Sequence, residues 1–213
     1  MTRREVITLL EKKQYDALVR LSFSERKILS ILISLSYDKE NPVSWRAIES
    51  IGLITKETAK TNPELVRNIA GRLLWMIRDE SGGIGWSSPE ILGEIVRNNP
   101  ELCSDIAPII VSFHEEKMLS AGVLKAIGRI GMINTGFIEY AVPVVLSYLN
   151  NPDPVLRGFA AWSLGEIGTA ESLNELRKLI NDNDVLLFYK DGELREKTVG
   201  EIAAKSIARL INN

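Results

Sequence analysis

The sequence is poor in the residues that build disulfides and metal centres. Cys103 is the single cysteine and His114 the single histidine among 213 residues. One cysteine excludes an intrachain disulfide and is the usage expected in a reducing cytoplasm. A metal site built on clustered His and Cys is strongly disfavoured, and neither a dinucleotide-binding nor a P-loop fingerprint is present. We therefore expect a cytoplasmic protein with no metal site and no cofactor.

Long hydrophobic runs are also missing. No stretch approaches the roughly 18 uninterrupted apolar residues of a membrane helix. The opening residues, MTRREVITLLEKK, carry charges on both sides of a very short apolar run, which is typical of an amphipathic helix and not of a signal peptide. With 45% hydrophobic and 25% charged residues the composition is that of a globular protein. We expect no membrane association.

A strong net charge is absent as well, but the charges are unevenly distributed. The formal net charge is −2, yet residues 1–30 carry seven basic groups against four acids. Residues 79–116 carry eight acids against Arg97 alone. Because an acidic middle repels phosphate backbones, nucleic acid is disfavoured as a partner.

The sequence does contain an internal repeat. The segments APIIVSF (107–113) and VPVVLSY (142–148) lie 35 residues apart. A second repeated pattern, called the glycine column below, has a central residue flanked by apolar residues at helical spacing. Its members are Glu49, Gly93, Gly128, Gly165 and Ala208. A glycine inside a helix costs up to about 1 kcal/mol of helix propensity, so we expect a neighbouring helix to approach closely at this column.

Helix start signals place both repeated patterns on helices. Four capping residues stand directly before a proline at 63, 89, 100 and 154, and Thr2 with Glu5 has capping-box spacing. The predicted helices span 3–19, 24–37, 42–53, 63–79, 88–97, 100–114, 117–131, 135–149, 153–168, 170–181 and 199–211. Pro108 and Pro143 fall inside two of them and are expected to kink them. Gly52, Gly131 and Gly168 are expected to end helices in the left-handed conformation.

One segment departs from the helical pattern. Residues 185–190 and 193–198 have strand character and are joined by Asp191-Gly192, a pair that tolerates the positive φ angles of a type I′ turn. The sequence therefore predicts a short β-hairpin near the C-terminus, inserted into the last repeat.

The repeat resembles a known family. The pattern Asp153-x-x-x-Arg157-x-x-Ala160-Ala161-x-x-Leu164-Gly165-x-Ile167-Gly168 is similar to HEAT repeats, particularly the HEAT-like repeats of phycobilisome lyases. Through residues 75–86 the chain also resembles a group of small bacterial HEAT-repeat proteins. The resemblance implies an all-α, right-handed α-α superhelix (a HEAT-like solenoid), with outer "A" helices and inner "B" helices lining a concave surface. We expect residues 1–38 to form a helical cap, continuous with a repeat domain over 39–213.

The most distinctive candidate site is the loop that contains Arg78, Asp79, Gly83, Gly85 and Trp86. Three glycines within four residues give backbone freedom beside a helix start, which could form a binding loop or an ordinary turn between helices.

Two further groups complete the candidate partner-binding surface. Trp162 shares its register with charged residues in the other repeats, so we expect it to face solvent, whereas Trp75 and Trp45 are expected in the core. Glu90, Glu94 and Glu166 would form an acidic stripe on the concave wall, with solvated helix charges as the alternative. Glu49 would stand in a close-approach column, with Arg46 one turn earlier as its partner.

No catalytic constellation is present, so the sequence favours a non-enzymatic scaffold or adaptor that binds a protein or peptide of basic character. Two enzyme-related alternatives remain open. A HEAT-like DNA glycosylase for alkylated purines would use tryptophan, aspartate and arginine, and Trp45, Arg46, Arg78, Asp79 and Trp162 offer those residue types. A chromophore lyase-related role follows from the family resemblance alone.

Overall fold

The computed structural model describes residues 1–25, 27–78, 85–167 and 171–212. Contacts between Cα atoms divide the chain into two compact units. The first comprises Met1–Ser104 with Tyr189–Leu194, and the second comprises Asp105–Phe188 with Arg195–Asn213. The predicted cap at residues 1–38 therefore belongs to the same unit as the first repeats.

The first unit contains seven helices within its described residues. They are α1 (Arg3–Glu11), α2 (Tyr15–Ser22), α3 (Lys27–Leu35), α4 (Pro42–Ala59), α5 (Pro63–Arg78), α6 (Ser88–Asn98) and α7 (Pro100–Cys103). The predicted capping box is present, because the Thr2 hydroxyl accepts from the Glu5 N–H and the Glu5 carboxylate accepts from the Thr2 N–H. Lys13 adopts a φ of 53° and separates α1 from α2, so the single helix predicted over 3–19 was wrong.

The second unit contains six helices within its described residues. They are α8 (Ala107–Val111), α9 (Ser120–Gly131), α10 (Val142–Ser147), α11 (Pro154–Ile167), α12 (Ser172–Lys178) and α13 (Val199–Asn212). Both proline kinks were wrong predictions, since Pro108 and Pro143 lie in the first turns of α8 and α10. Short 3-10 helices precede both α-helices, so the proline starts a helix where the longer prediction placed it inside one.

The glycine column behaves as predicted at two positions in the second unit. A Cβ on Gly128 would overlap the Trp162 ring, and a Cβ on Gly165 would lie 2.5 Å from the Ser206 hydroxyl oxygen. These contacts join α9 to α11 and α11 to α13. Gly52 lies inside α4, which extends to Ala59, and Gly131 has no positive φ, so the left-handed helix ends predicted there were wrong. Gly168 lies outside the described residues.

The predicted hairpin is confirmed. Strands β1 (Val185–Lys190) and β2 (Glu193–Thr198) form a two-stranded sheet. Asp191 and Gly192 have φ angles of 53° and 78°, as a type I′ turn requires. The fold class is likewise confirmed: the chain is a helical-repeat protein with one short β-hairpin near its C-terminus.

Candidate functional site

Two exposed tryptophans lie at the C-terminal end of α5. Trp75 is 64% exposed and Trp86 is 51% exposed. The 3-10 helix that carries Trp86 packs closely against α5, because a Cβ on Gly85 would lie 2.6 Å from the Met76 carbonyl oxygen. The prediction that Trp75 is a core residue was wrong. Its apolar block was aligned with the other A helices, but the buried face of α5 is formed by Val66, Ala70 and Leu73.

The predicted loop is only partly covered by the structure. Arg78 ends α5 and is exposed, whereas Gly85 and Trp86 belong to a 3-10 helix that leads directly into α6. Asp79 and Gly83 lie outside the described residues. The exposed residues Gly71, Arg72, Trp75 and Arg78 of α5, together with Trp86, are called the tryptophan face below.

The acidic stripe expected on the inner helices is not exposed. Glu90 and Glu94 are both buried on α6 in the first unit, and Glu94 is only 3% exposed. Glu90 lies 2.8 Å from the Lys39 ammonium, and the Glu94 carboxylate lies 3.4 Å from Arg97. In the second unit Glu166 is buried 2.8 Å from Arg209. The alternative of solvated helix charges was therefore also wrong, since burying these carboxylates requires partners within the chain.

Arg46 and Glu49 bind the tip of the hairpin within the first unit. The Arg46 side chain is buried and donates from Nε to the Gly192 carbonyl oxygen at 2.9 Å and from an Nη to the Leu10 and Glu11 carbonyls. Glu49 accepts a 2.6 Å hydrogen bond from the Tyr189 hydroxyl. Glu49 thus contacts a tyrosine of the hairpin, and Arg46 contacts backbone carbonyls and, at 3.9 Å, the Glu193 carboxylate.

Burial and a nearby carboxylate set the chemistry of this cluster. Burial raises the pKa of Tyr189, and the negative charge of Glu49 raises it further. The Tyr189 ring stacks on Trp45 with centroids 5.6 Å apart, and Trp45 is buried as predicted. The cluster therefore holds a neutral phenol and a structural tryptophan, not an accessible acid–base pair.

Trp162 is buried, at 8% exposed, so the prediction that it faces solvent was wrong. Phe188 of β1 covers it edge-to-face at 5.8 Å. The buried ammonium of Lys125, on α9, lies 4.1 Å from the centroid of the Trp162 ring and 4.3 Å from that of Phe188. Phe159 completes the cluster at 5.3 Å from the same ammonium. The charged residues at the equivalent positions of the other repeats, Lys125 among them, led to the prediction that this position faces solvent. Cation–π contacts with the aromatic rings and cover by the inserted strand instead allow Lys125 to be buried.

Sequence reasoning missed the exposure of Trp75 and the aromatic surroundings of Lys125. The first could have been found from α5 itself, because Arg72 and Arg78 flank Trp75 one turn away on either side. The second depends on Phe188, which is distant in sequence from both helices that it covers. No local pattern announces such a contact.

Other site types are not found in the described part of the chain. Among the described residues there is no group of three or more His, Cys, Asp or Glu side chains placed to hold a metal ion. None of the helices searched in those ranges has the length and hydropathy that a bilayer crossing requires.

Comparisons with known proteins agree with the repeat architecture. Residues 104–187 match the family model described as HEAT repeats. The crystal structure of an engineered protein aligns with 100% of this chain and 98% of its own, with 14% sequence identity and a TM-score of 0.59. The archaeal HEAT-like repeats protein from Thermococcus onnurineus NA1 aligns with 100% of this chain and 81% of its own, at 14% identity and a TM-score of 0.43. No curated protein matches the chain.

The likeness to the engineered protein concerns the fold alone. The resemblance to HEAT repeats is confirmed for residues 104–187. The narrower resemblance to the repeats of phycobilisome lyases and to small bacterial proteins stays a prediction.

Proposed function

We propose that the chain is a non-enzymatic HEAT-repeat scaffold that binds a protein or peptide through its tryptophan face. The observation that carries this proposal is the exposure of two tryptophans, Trp75 on α5 and Trp86 on the 3-10 helix that packs against α5 at Met76. Tryptophan is enriched among the residues that dominate binding energy at protein interfaces, and its exposure to water otherwise has a cost.

The proposed binding surface lies on α5 and not on α6 and α11, which carry the three carboxylates of the expected acidic stripe. Glu90, Glu94 and Glu166 are buried beside cations of the same chain, so they offer little charge to a ligand. The expectation of a basic partner rested on those three carboxylates, and their burial removes its support. The cytoplasmic location stays a prediction.

The non-enzymatic part of the proposal is supported by the positions of the residues that a DNA glycosylase would need. Trp45, Arg46 and Trp162 are buried. The Trp45 N–H donates to the Lys39 carbonyl, Arg46 donates to the Gly192 carbonyl, and the Lys125 ammonium lies over the Trp162 ring. Incubation with methylated duplex DNA is expected to release no modified purine. Release above a no-protein control would contradict the proposal.

A paired affinity capture tests the binding function. The wild-type chain and a Trp75→Ala/Trp86→Ala variant are immobilised and exposed to lysate of the source cells, and bound proteins are identified by mass spectrometry. We expect a partner that is recovered with the wild type and lost with the variant. Phe23→Ala is the matched control, since Phe23 is an exposed aromatic residue elsewhere in the first unit. Loss of the partner with Phe23→Ala, or retention with the double variant, would contradict the proposal.

A further inference from the structure

The charges around Trp75 indicate the chemistry of the partner. We propose that the tryptophan face binds an acidic protein segment, which lays an apolar side chain on Trp75 and directs carboxylates to Arg72 and Arg78. This inference rests on the proposed function and adds the chemical class of the ligand.

Helix geometry places the two arginines on opposite sides of the tryptophan. Arg72 precedes Trp75 by three residues and Arg78 follows it by three. At about 100° and 1.5 Å per residue, each arginine lies about 60° from Trp75 around the helix axis and about 4.5 Å along it. An apolar contact with the indole ring therefore brings neighbouring groups of the ligand within reach of both guanidinium groups.

Both arginines are available for a ligand. The side chains of Arg72, Trp75 and Arg78 are exposed. Within the described ranges neither arginine forms an ion pair or a side-chain hydrogen bond. Guanidinium groups bind carboxylates with two parallel hydrogen bonds, and they lose less hydration than an ammonium group does.

The charge of α5 as a whole agrees with an acidic ligand. The helix carries Arg67, Arg72 and Arg78 against a single acid, Glu64, and Asp79 and Glu80 follow Arg78 in the sequence. Glu64 stands eleven residues before Trp75, which is about 16 Å along the axis. It therefore weakens the field at Trp75 only slightly, because that separation exceeds the Debye length of about 8 Å at physiological ionic strength.

Gly71 provides an observation that is independent of charge. It lies inside α5 one turn before Trp75 and is exposed, and a Cβ built there meets no atom within 4 Å. Gly128 and Gly165, in contrast, each admit a side chain of a neighbouring helix. A glycine inside a helix lowers stability by about 1 kcal/mol relative to alanine. At Gly71 nothing within the described chain uses the space, so the flat surface beside Trp75 is open to a ligand backbone.

A protein segment fits this surface better than a nucleic acid does. Nucleic-acid binding depends on neutralising several phosphates along a continuous basic surface, whereas two arginines and one indole suit a short acidic segment.

A peptide-display selection on the full chain tests the inference. A random library is selected on the wild type, and each enriched peptide is then synthesised with a fluorescent label. Its affinity is measured by anisotropy against the wild type, Trp75→Ala and Arg72→Glu/Arg78→Glu. The matched control is Arg4→Glu/Arg20→Glu, which changes the net charge equally at exposed arginines of α1 and α2. A labelled single-stranded oligonucleotide is the nucleic-acid probe.

The expected result is enrichment of peptides that combine Asp or Glu with an apolar side chain. Their affinity should fall about tenfold or more with Trp75→Ala and with the arginine reversal, and little with the control. Enrichment of basic or neutral peptides at the same face would overturn the acidic chemistry and leave the proposed function standing. Tighter oligonucleotide binding that depends on the same residues would replace the protein partner by a nucleic acid. If no peptide is enriched, or if binding ignores Trp75, the inference fails, and the capture experiment decides the proposed function separately.

Discussion

At the scale of single residues, the same amino acid has opposite roles at different places in the fold. Gly128 packs against the Trp162 ring, and that ring contacts Phe188 and the Lys125 ammonium. Gly71 faces open space on α5. The two glycines therefore predict mutational effects of opposite sign.

Gly128→Ala is expected to destabilise the protein by about 1–3 kcal/mol, because the added methyl group overlaps a ring that cannot move away. Gly71→Ala is expected to stabilise it by about 0.5–1 kcal/mol, because alanine is the better helix former and meets no neighbour. Urea denaturation of both variants and the wild type measures the two free energies. Equal effects of the two substitutions would show that helix propensity, not packing, determines the cost at Gly128.

At the scale of secondary-structure elements, the hairpin is an insertion that contacts side chains of α4 and α11. Its turn was predictable from Asp191-Gly192 alone, since few residue pairs accept two positive φ angles. Its consequences were not predictable. Phe188 buries Trp162, and Tyr189 engages Glu49 at a sequence separation of 140 residues. Periodicity describes the face of a helix, but a distant strand decides whether that face meets water.

The turn of the hairpin predicts a second stability difference. Gly192→Val places a β-branched residue at a φ of 78°, and we expect a loss of about 1–2 kcal/mol. The loss should grow if the Gly192 carbonyl is displaced from Arg46. Asp191→Asn is the matched control, because asparagine suits the first position of a type I′ turn.

Thermal unfolding followed by circular dichroism measures the comparison. A wild-type melting temperature for Gly192→Val, or an equally large decrease for Asp191→Asn, would show that the turn does not depend on the left-handed conformation at Gly192.

At the scale of the whole molecule, partial desolvation of tyrosine hydroxyls contributes to how stability responds to alkaline pH. Of the five tyrosines, four have a raised pKa, with burial as the main cause. They are Tyr15, Tyr37, Tyr140 and Tyr189, and the pKa of Tyr140 is raised to about 12. An unfolded tyrosine ionises near pH 10. The unfolded chain therefore releases protons that the folded chain retains.

The stability that depends on these phenols is fully present below about pH 10 and is lost as the pH rises toward the folded pKa values. We expect the phenolate absorbance of the native protein at about pH 10.5 to fall well below that of five free tyrosines. In denaturant, all five should titrate together near pH 10. A native titration that coincides with the denatured one would contradict the partial desolvation of these hydroxyl groups.

The parts of the molecule that could be predicted from the sequence are those determined by local rules. The capping box at Thr2, the glycine column and the hairpin turn each follow from a few neighbouring residues. Exposure could not be predicted in the same way. Trp75 was expected in the core and is exposed, whereas Trp162 was expected to face solvent and is buried. Burial depends on which element covers a helix face. The candidate site therefore lies on α5 and not on α6 and α11, where the acidic stripe was expected.

The division of the chain into units has a consequence for its synthesis. The first unit needs Tyr189–Leu194 in addition to Met1–Ser104. At about 5–20 residues per second, a ribosome delivers that second segment roughly 4 to 17 seconds after residue 104 has been made. During that interval the nascent chain holds Arg46 and Glu49 without the carbonyl and the phenol that they bind in the finished fold. The first unit is therefore begun early in translation and completed near its end.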